Sequence, residues 1–392
     1  MTDASPIADL HAATADLDPP LAALDLSALR ANAADLVRRA RGVPIRVASK
    51  SVRCRAVLEE VLGSQLTGHG GFAGIMSYSL REALWLAGQG ARDILLGYPS
   101  VDRAALAELA ADATLLDSIT LMIDDVAQLD LIRAAVGGAG ISPRVCLDVD
   151  ASLRIGPLHL GVRRSPIRTP EQAERLARVA RERGFRVVGV MTYEAQIAGL
   201  PDTNPAVRLV KRLSAAEIGT RRTRVLDAVR SVAGELEIVN SGGSGSIEVS
   251  VAAPEVTEVT AGSGLYVPTL FDGYRAFTPR PALYFALPVL RRPAAEIATV
   301  FAGGYIASGP AGASRVPKPV WPKGLRLIGT EGAGEVQTPF TGAADLAVGD
   351  RVWMRHAKAG ELCERFDAIH IVDADDRRTT VPTYRGEGRN FG

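Results

Sequence analysis

The sequence is poor in cysteine, carries almost no net charge and has no long apolar run, and each shortage narrows what the chain can be. Its three cysteines, Cys54, Cys146 and Cys363, are far apart and odd in number among 392 residues. That argues against a disulfide framework and for reduced thiols in a cytoplasmic protein. Forty-five basic residues against 44 acidic ones leave a formal charge of +1, so there is no electrostatic case for nucleic acid or an anionic membrane as partner. No apolar stretch reaches membrane-span length, and the N-terminus lacks a basic region followed by an apolar core. No internal repeat is evident. The only biased segment is the Ala- and Asp-rich stretch 1–18, expected to be a loose tail.

What is present is ordinary for a soluble globular protein: 47% hydrophobic and 23% charged residues in a chain long enough for two domains. From Pro44 onward strand-like and helix-like segments alternate. The strand candidates are Ile45–Ser49, Phe72–Met76, Asp93–Gly97, Ile119–Ile123, Val145–Val149, Arg186–Met191, Leu236–Asn240 and Val256–Thr260. Helical patterns fill the gaps, the longest over Pro205–Val232. Eight such units predict a closed (β/α)8 barrel of the TIM type over residues 19–275, with a doubly wound open sheet as the alternative. Beyond residue 276 the pattern changes to short Val/Ile/Leu runs broken by Gly and Pro, which predicts a C-terminal β domain of sandwich or barrel form. Leu21–Leu26 reads as a strand ahead of a helix that Asp25 caps, and it is a candidate strand for that β domain.

Two stretches carry chemistry. Pro44-Ile-Arg-Val-Ala-Ser-Lys50 ends the first barrel strand on a lysine, at the strand end where barrels keep their active sites. A desolvated lysine has a lowered pKa and can form an imine with an aldehyde; the plain alternative is a lysine snorkelling to solvent. After the seventh strand comes Asn240-Ser241-Gly242-Gly243-Ser244-Gly-Ser246, and after the eighth Ala261-Gly262-Ser263-Gly-Leu-Tyr266. Glycines let backbone N–H groups approach an anion, and barrel phosphate sites commonly lie in these two loops. An imine-forming lysine with a phosphate cradle opposite suggests pyridoxal 5'-phosphate.

On these residues the chain resembles a known family. Leu24-Asp-Leu-x-x-Leu-x-x-Asn32, Arg46-x-x-x-Lys50-Ser-x-Arg53 and the Ser-Gly-Gly-Ser loop look like the alanine-racemase-type (fold type III) pyridoxal-phosphate barrel, within it the D-threonine aldolase and D-serine dehydratase branch. The resemblance implies Lys50 as the internal aldimine, a basic residue facing the pyridine nitrogen, for which His159 before Gly161-Val162 stands nearest, and Tyr193 with Glu194 near the ring. The family's downstream histidine is Gln196 here, and His69 reads better as a turn histidine than as a pocket residue. The branch also implies a divalent metal, zinc or manganese, held by a histidine and a ligand two residues on. His356 matches, but the second position is Lys358, which cannot ligate while protonated; Glu361 and Cys363 stand nearby without the family spacing. The metal therefore stays open, with Lys358 bringing positive charge to the same place.

The implied activity is a lyase acting on β-hydroxy amino acids of D configuration, by aldol cleavage or deamination, with Lys50, His356 and Lys358 as catalytic candidates. A racemase or decarboxylase on the same barrel, and a non-catalytic cofactor carrier, are the alternatives. The expected partners are a small amino acid and a second copy of the chain in a head-to-tail homodimer.

Overall fold

A computed structural model describes residues 6–137 and 140–392. The eight expected barrel strands form at Ile45–Ala48, Phe72–Ser77, Ile94–Leu96, Ile119–Ile123, Arg144–Val149, Arg186–Thr192, Ile238–Ser241 and Glu258–Ala261. Neighbours in that order pair in parallel. The first strand bonds both the last, with Ile45 opposite Val259, and the second, with Val47 opposite Ile75. The sheet is thus a closed ring rather than an open doubly wound one, as the even run of similar units implied.

Inside the ring Leu95, Met122, Cys146, Val188, Met191 and Ile238 make an apolar layer. Below it Arg46, 1% exposed, is held by two oxygens of Glu258 (2.6 and 2.7 Å) and two of Asp93 (2.9 and 3.1 Å). A charge this deep is tolerated because its donors are matched by carboxylates. The barrel mouth opens at the opposite, C-terminal ends of the strands.

Leu21–Asp25 does join the β domain. It runs antiparallel to Leu283–Ala294 and parallel to Ala368–Val372, inside a nine-stranded sheet that also holds Ile297–Phe301, Gln337–Thr341 and Arg351–Arg355. Side chains alternate across this sheet as a strand requires. Ala22, Leu24, Phe285, Val352 and Met354 join the main core, whereas Leu21, Ala23, Tyr284, Ala286 and Trp353 form a second cluster on the other face.

That second face corrects the expectation of a loose tail over 1–18, of which residues 1–5 lie outside the described residues. Pro6–Ala13 is a helix whose Ile7 and Leu10 are buried in the second cluster. Arg351 fastens the turn behind it by donating to the carbonyls of Thr14 and Ala15 at 2.8 and 3.0 Å. An Ala-rich stretch with two large apolar residues gives little periodic signal, so its docking depends on the exposed sheet face it covers.

The helix Leu26–Ala40 starts where expected, with the Asp25 side chain accepting from Ala28 N at 2.9 Å. Its buried polar residues brace the barrel mouth. Asn32 Nδ2 donates to the carbonyls of Leu265 (3.0 Å) and Arg280 (2.7 Å), and Arg39 donates to Ser244 O (2.8 Å) and Glu248 (2.6 Å). The helix Leu26–Ala40 therefore holds the loops that follow the seventh and eighth strands.

Candidate active site

The first strand ends at Ala48 in a tight turn, Ser49–Ser51, pinned by Ser49 Oγ donating to Met76 O at 3.0 Å. The turn points Lys50 into a cavity of about 390 Å³ at the barrel mouth. Lys50 Nζ donates to Tyr98 Oη at 2.5 Å. Tyr98 follows the third strand through Gly97, where a Cβ would sit 3.0 Å from Met76 Cγ. Burial would raise the Tyr98 phenol, but the neighbouring Lys50 and Arg164 cations outweigh it and hold the pKa below its ordinary value. The Arg164 guanidinium stands 5.6 Å from the ring centres of both Tyr98 and Tyr193. Three strand ends and the loop that carries Arg164 thus converge two cations and two phenols on one space.

Opposite them, Asn240, Gly242, Gly243 and Ser244 line the cavity together with Gly262 and Ser263. The two loops are tied together by Ser244 Oγ, which accepts from Gly262 N (3.2 Å) and Gly264 N (2.9 Å). Gly242 has φ +87°, and a Cβ there would meet Ser250 Oγ at 2.5 Å; a Cβ on Gly262 would meet Ala48 O at 2.6 Å. These two positions require glycine, one for its backbone conformation and one for close approach to the Lys50 strand.

Beneath the loop lies Glu194, fully buried. It accepts from Ser250 Oγ (2.6 Å), Gly242 N and Ser241 Oγ (both 3.2 Å) and Ser246 Oγ (3.3 Å). Arg222, also buried, donates to Ser241 Oγ at 2.8 Å. A carboxylate with this many donors is a rigid peg. Glu194 therefore shapes the Gly-rich loop from below, whereas Tyr193, one residue earlier and on the other side of the chain, faces the cavity.

The structure brings together Lys50, Tyr193, Asn240, Gly242, Gly243, Ser244, Gly262, Ser263 and Lys358 around this cavity. Four expected residues do not line it. Ser241 is turned inward to Arg222 and Glu194. Tyr266 is fully buried and donates to Val52 O at 3.0 Å. His159 rides the hairpin Leu153–Ile155/Leu158–Leu160 away from the mouth, its Nε2 3.2 Å from Val162 O. The basic residue at the mouth is instead Arg164, just past the Gly161-Val162 pair; that proximity was the available signal, and the hairpin hid it. Tyr98 was missed as well, although Gly97-Tyr98-Pro99 follows a barrel strand directly. His69 is exposed, in a two-residue strand.

His356 is the fourth correction. It is buried and lines an adjoining cavity, not that of Lys50. Burial, reinforced by Arg355, lowers its pKa to about 3, so the ring is neutral at pH 7 and a poor general base. Lys358, in contrast, lines both cavities and donates to Ser308 O (3.2 Å) and Oγ (3.0 Å). Desolvation lowers its pKa, opposed by Glu361 and helped by Arg315, Lys50 and Arg164.

The donor set does not fit a divalent metal. No three His, Cys, Asp or Glu side chains come together among the described residues. Lys358 presents an ammonium, Glu361 accepts from Ser308 N at 3.0 Å, and the buried Cys363 thiol donates to Val52 O at 3.2 Å. Burial raises that thiol's pKa, so it is no ready thiolate ligand.

A sequence profile of the family described as "Alanine racemase, N-terminal domain" matches residues 24–269. Among solved structures, D-threonine aldolase from Filomicrobium marinum superposes with a TM-score of 0.78 at 20% identity, covering 95% of this chain and 96% of its own. D-threo-3-hydroxyaspartate dehydratase from Delftia sp. HT23 gives 0.74 at 22%, covering 94% and 97%. An alanine racemase of Clostridium difficile 630 in complex with cycloserine gives 0.63 at 15%, covering 94% and 99%. At such identities the likeness is one of fold. No curated protein sequence matches the chain.

Proposed function

The chain belongs to the alanine racemase N-terminal-domain family, and from that premise we propose that it is a pyridoxal-phosphate-dependent lyase acting on β-hydroxy amino acids of D configuration. The observation that carries the proposal is Lys50 at the end of the first barrel strand, in one cavity with two Gly-rich loops that a single Cβ would obstruct.

The residues present fit the cofactor. Lys50 would hold its aldehyde carbon, the backbone of Gly242–Ser244 and Gly262–Ser263 would hold its phosphate, and Arg164 would supply charge beside its ring. When bound, the cofactor supplies an electron sink for the pair left on the substrate's α-carbon. The protein's own groups do the rest. Tyr98 orients Lys50 through their hydrogen bond and gives its proton a partner. Lys358 brings an ammonium to the same cavity, where it donates to the substrate's β-oxygen and steadies the charge that develops there. As a neutral amine, the form its desolvation favours, Lys358 would take the hydroxyl proton for aldol cleavage; as an ammonium it would instead give a proton to departing hydroxide. Apolar lining from Met76, Met191, Leu270 and Phe271 limits water.

The test is borohydride reduction of the yellow holoenzyme followed by peptide mapping. The cofactor mass is expected on the peptide containing Lys50, with loss of label and turnover in Lys50→Ala; label on any other lysine removes the basis of the proposal. The head-to-tail homodimer belongs to the same reading, and sedimentation equilibrium of the holoenzyme tests it.

A further inference from the structure

Arg53 has φ +50°, a left-handed conformation that glycine adopts freely and arginine only with strain. Such strain persists where the surrounding structure over-determines it, and it gathers at functional sites. Among the described residues Arg53 is the only non-glycine with positive φ that lines the Lys50 cavity, and it lines the adjoining one as well. The backbone is held on both sides: Arg53 N donates to Ser49 O, and Arg53 O accepts from Tyr384 N, each at 2.9 Å. The side chain folds back over its own turn. There Nε donates to the Lys50 carbonyl at 3.2 Å, and the guanidinium stands 4.9 Å from the Tyr78 ring centre.

The other arm of the guanidinium reaches the β domain. Nη1 donates to Glu364 Oε1 at 2.7 Å, with only 14% and 23% of the two side chains exposed. A pair this far out of water binds more firmly than a surface one, and loss of either partner strands a charge. Glu364 ends the short helical turn Glu361–Glu364, which follows closely after Lys358. That turn lies directly on the Lys50 turn. A Cβ on Gly360 would collide with the Lys50 carbonyl oxygen, and Cys363 Sγ donates to Val52 O at 3.2 Å. Arg53–Glu364 is the one ion pair between the two turns among the described residues. How deeply the β-domain segment is seated sets the desolvation of Lys358, the largest of its influences; Arg315, Lys50 and Arg164 act with it, and Glu361 against it.

We propose that Arg53 is a positioning residue that, by bridging the Lys50 carbonyl and Glu364, seats the segment from Lys358 to Glu364 on the Lys50 turn and holds the two amines at one separation. This deepens the function proposed above and rests on it, because there Lys50 serves the α-carbon end of the substrate and Lys358 the β-oxygen. Whether Lys358 takes a proton from that oxygen or gives one to it then depends on the seating that Arg53 maintains. A planar guanidinium can hold two acceptors at fixed angles, which an ammonium on a flexible stem cannot. That fork is what arginine offers in return for its strained backbone.

The test follows the titration of Lys358 by NMR in holoenzyme labelled with 13C-lysine. The chain has five lysines, and the Lys358 signal is the one missing from Lys358→Arg. Charge and position predict different patterns. Loss of a nearby cation alone raises a lysine pKa and loss of a nearby anion alone lowers it, whereas release of the segment to water raises it in either case. Arg53→Gln and Glu364→Gln are therefore both expected to shift the Lys358 titration upward. The double variant, in which charge is balanced again, is expected to shift as far as either single one. Arg53→Gly keeps the left-handed turn without strain and is expected to match Arg53→Gln, which keeps the test decisive should the latter fail to fold. Shifts of opposite sign, a shift in only one variant, no shift, or a double variant back at the wild-type titration overturns the lock. Borohydride labelling is read separately: label on a lysine other than Lys50, with Lys358 raised in both variants, would fault the proposed function and spare the lock.

Discussion

Gly242→Ala is the sharpest single perturbation of the candidate cofactor cradle. The residue has φ +87°, and an added methyl would lie 2.5 Å from Ser250 Oγ and 3.2 Å from its Cβ. A left-handed backbone costs an L residue about 1–2 kcal/mol. The clash is relieved only if Ser250 rotates away, which gives up its 2.6 Å hydrogen bond to the buried Glu194 carboxylate. A hydrogen bond to a charged group is worth about 1.5–3 kcal/mol. The alternative is that the loop moves and takes Gly242 N off the same carboxylate. Either route puts about 2.5–5 kcal/mol of strain into the loop. If roughly 3 kcal/mol of it is expressed at the cavity, cofactor affinity falls about 100-fold.

Gly243→Ala is the internal control. Its Cβ would meet only Ala198 Cβ at 3.0 Å and Tyr193 Cε2 at 3.5 Å, and its φ is ordinary. A loss of no more than about tenfold is expected there. Equilibrium dialysis against pyridoxal phosphate, read by visible absorbance, measures both variants, and urea unfolding of the cofactor-free proteins separates local from global damage. Wild-type affinity in Gly242→Ala, or a larger loss in Gly243→Ala, would falsify the picture of a loop held from below by Glu194.

Three further outcomes are expected. Tyr98→Phe removes the hydroxyl bonded to Lys50 and should lower kcat by about 100- to 10,000-fold, the range for a lost proton-handling partner, with a displaced pH–rate profile; an unchanged profile would make Tyr98 a packing residue only. Glu82 is fully buried, and burial raises its pKa from 4.5 to about 7. The folded protein therefore keeps a proton the unfolded chain releases, and stability declines as the pH rises from about 4.5 to 7, by about 3 kcal/mol in all. Glu82→Gln should flatten that slope in urea titrations across pH, and parallel curves for the two proteins would refute it. Chelation should leave turnover intact, with no stoichiometric zinc or manganese by elemental analysis, because Lys358 stands where a second ligand would be needed; activity lost to chelator and restored by manganese would return Glu361 and Cys363 to consideration.

The barrel was legible because its signals are local. Strand periodicity, Gly and Pro at the joins and Asp25 at a helix start are satisfied within a few residues, and each of the eight strand candidates forms within three residues of its expected ends. The end of the first strand and the two Gly-rich loops were legible for the same reason: chain order alone puts strand ends on one face of a closed ring.

What tertiary structure decided are the matters in which distant segments meet. Leu21–Asp25 is five residues whose place is fixed by partners at Leu283–Ala286 and Ala23's neighbour His370. The helix Pro6–Ala13 is held by a sheet face that does not exist until those strands pair. His159 and Arg164 are five positions apart, and only the hairpin that carries the histidine determines that the arginine, not the histidine, returns to the mouth. His356 and Lys358 are two apart after the strand Arg351–Arg355, and the turn there puts the histidine behind the wall and the lysine in it. Residue spacing carries identity and order along the chain, but which side of a wall a side chain faces depends on backbone direction set by packing from elsewhere in the fold.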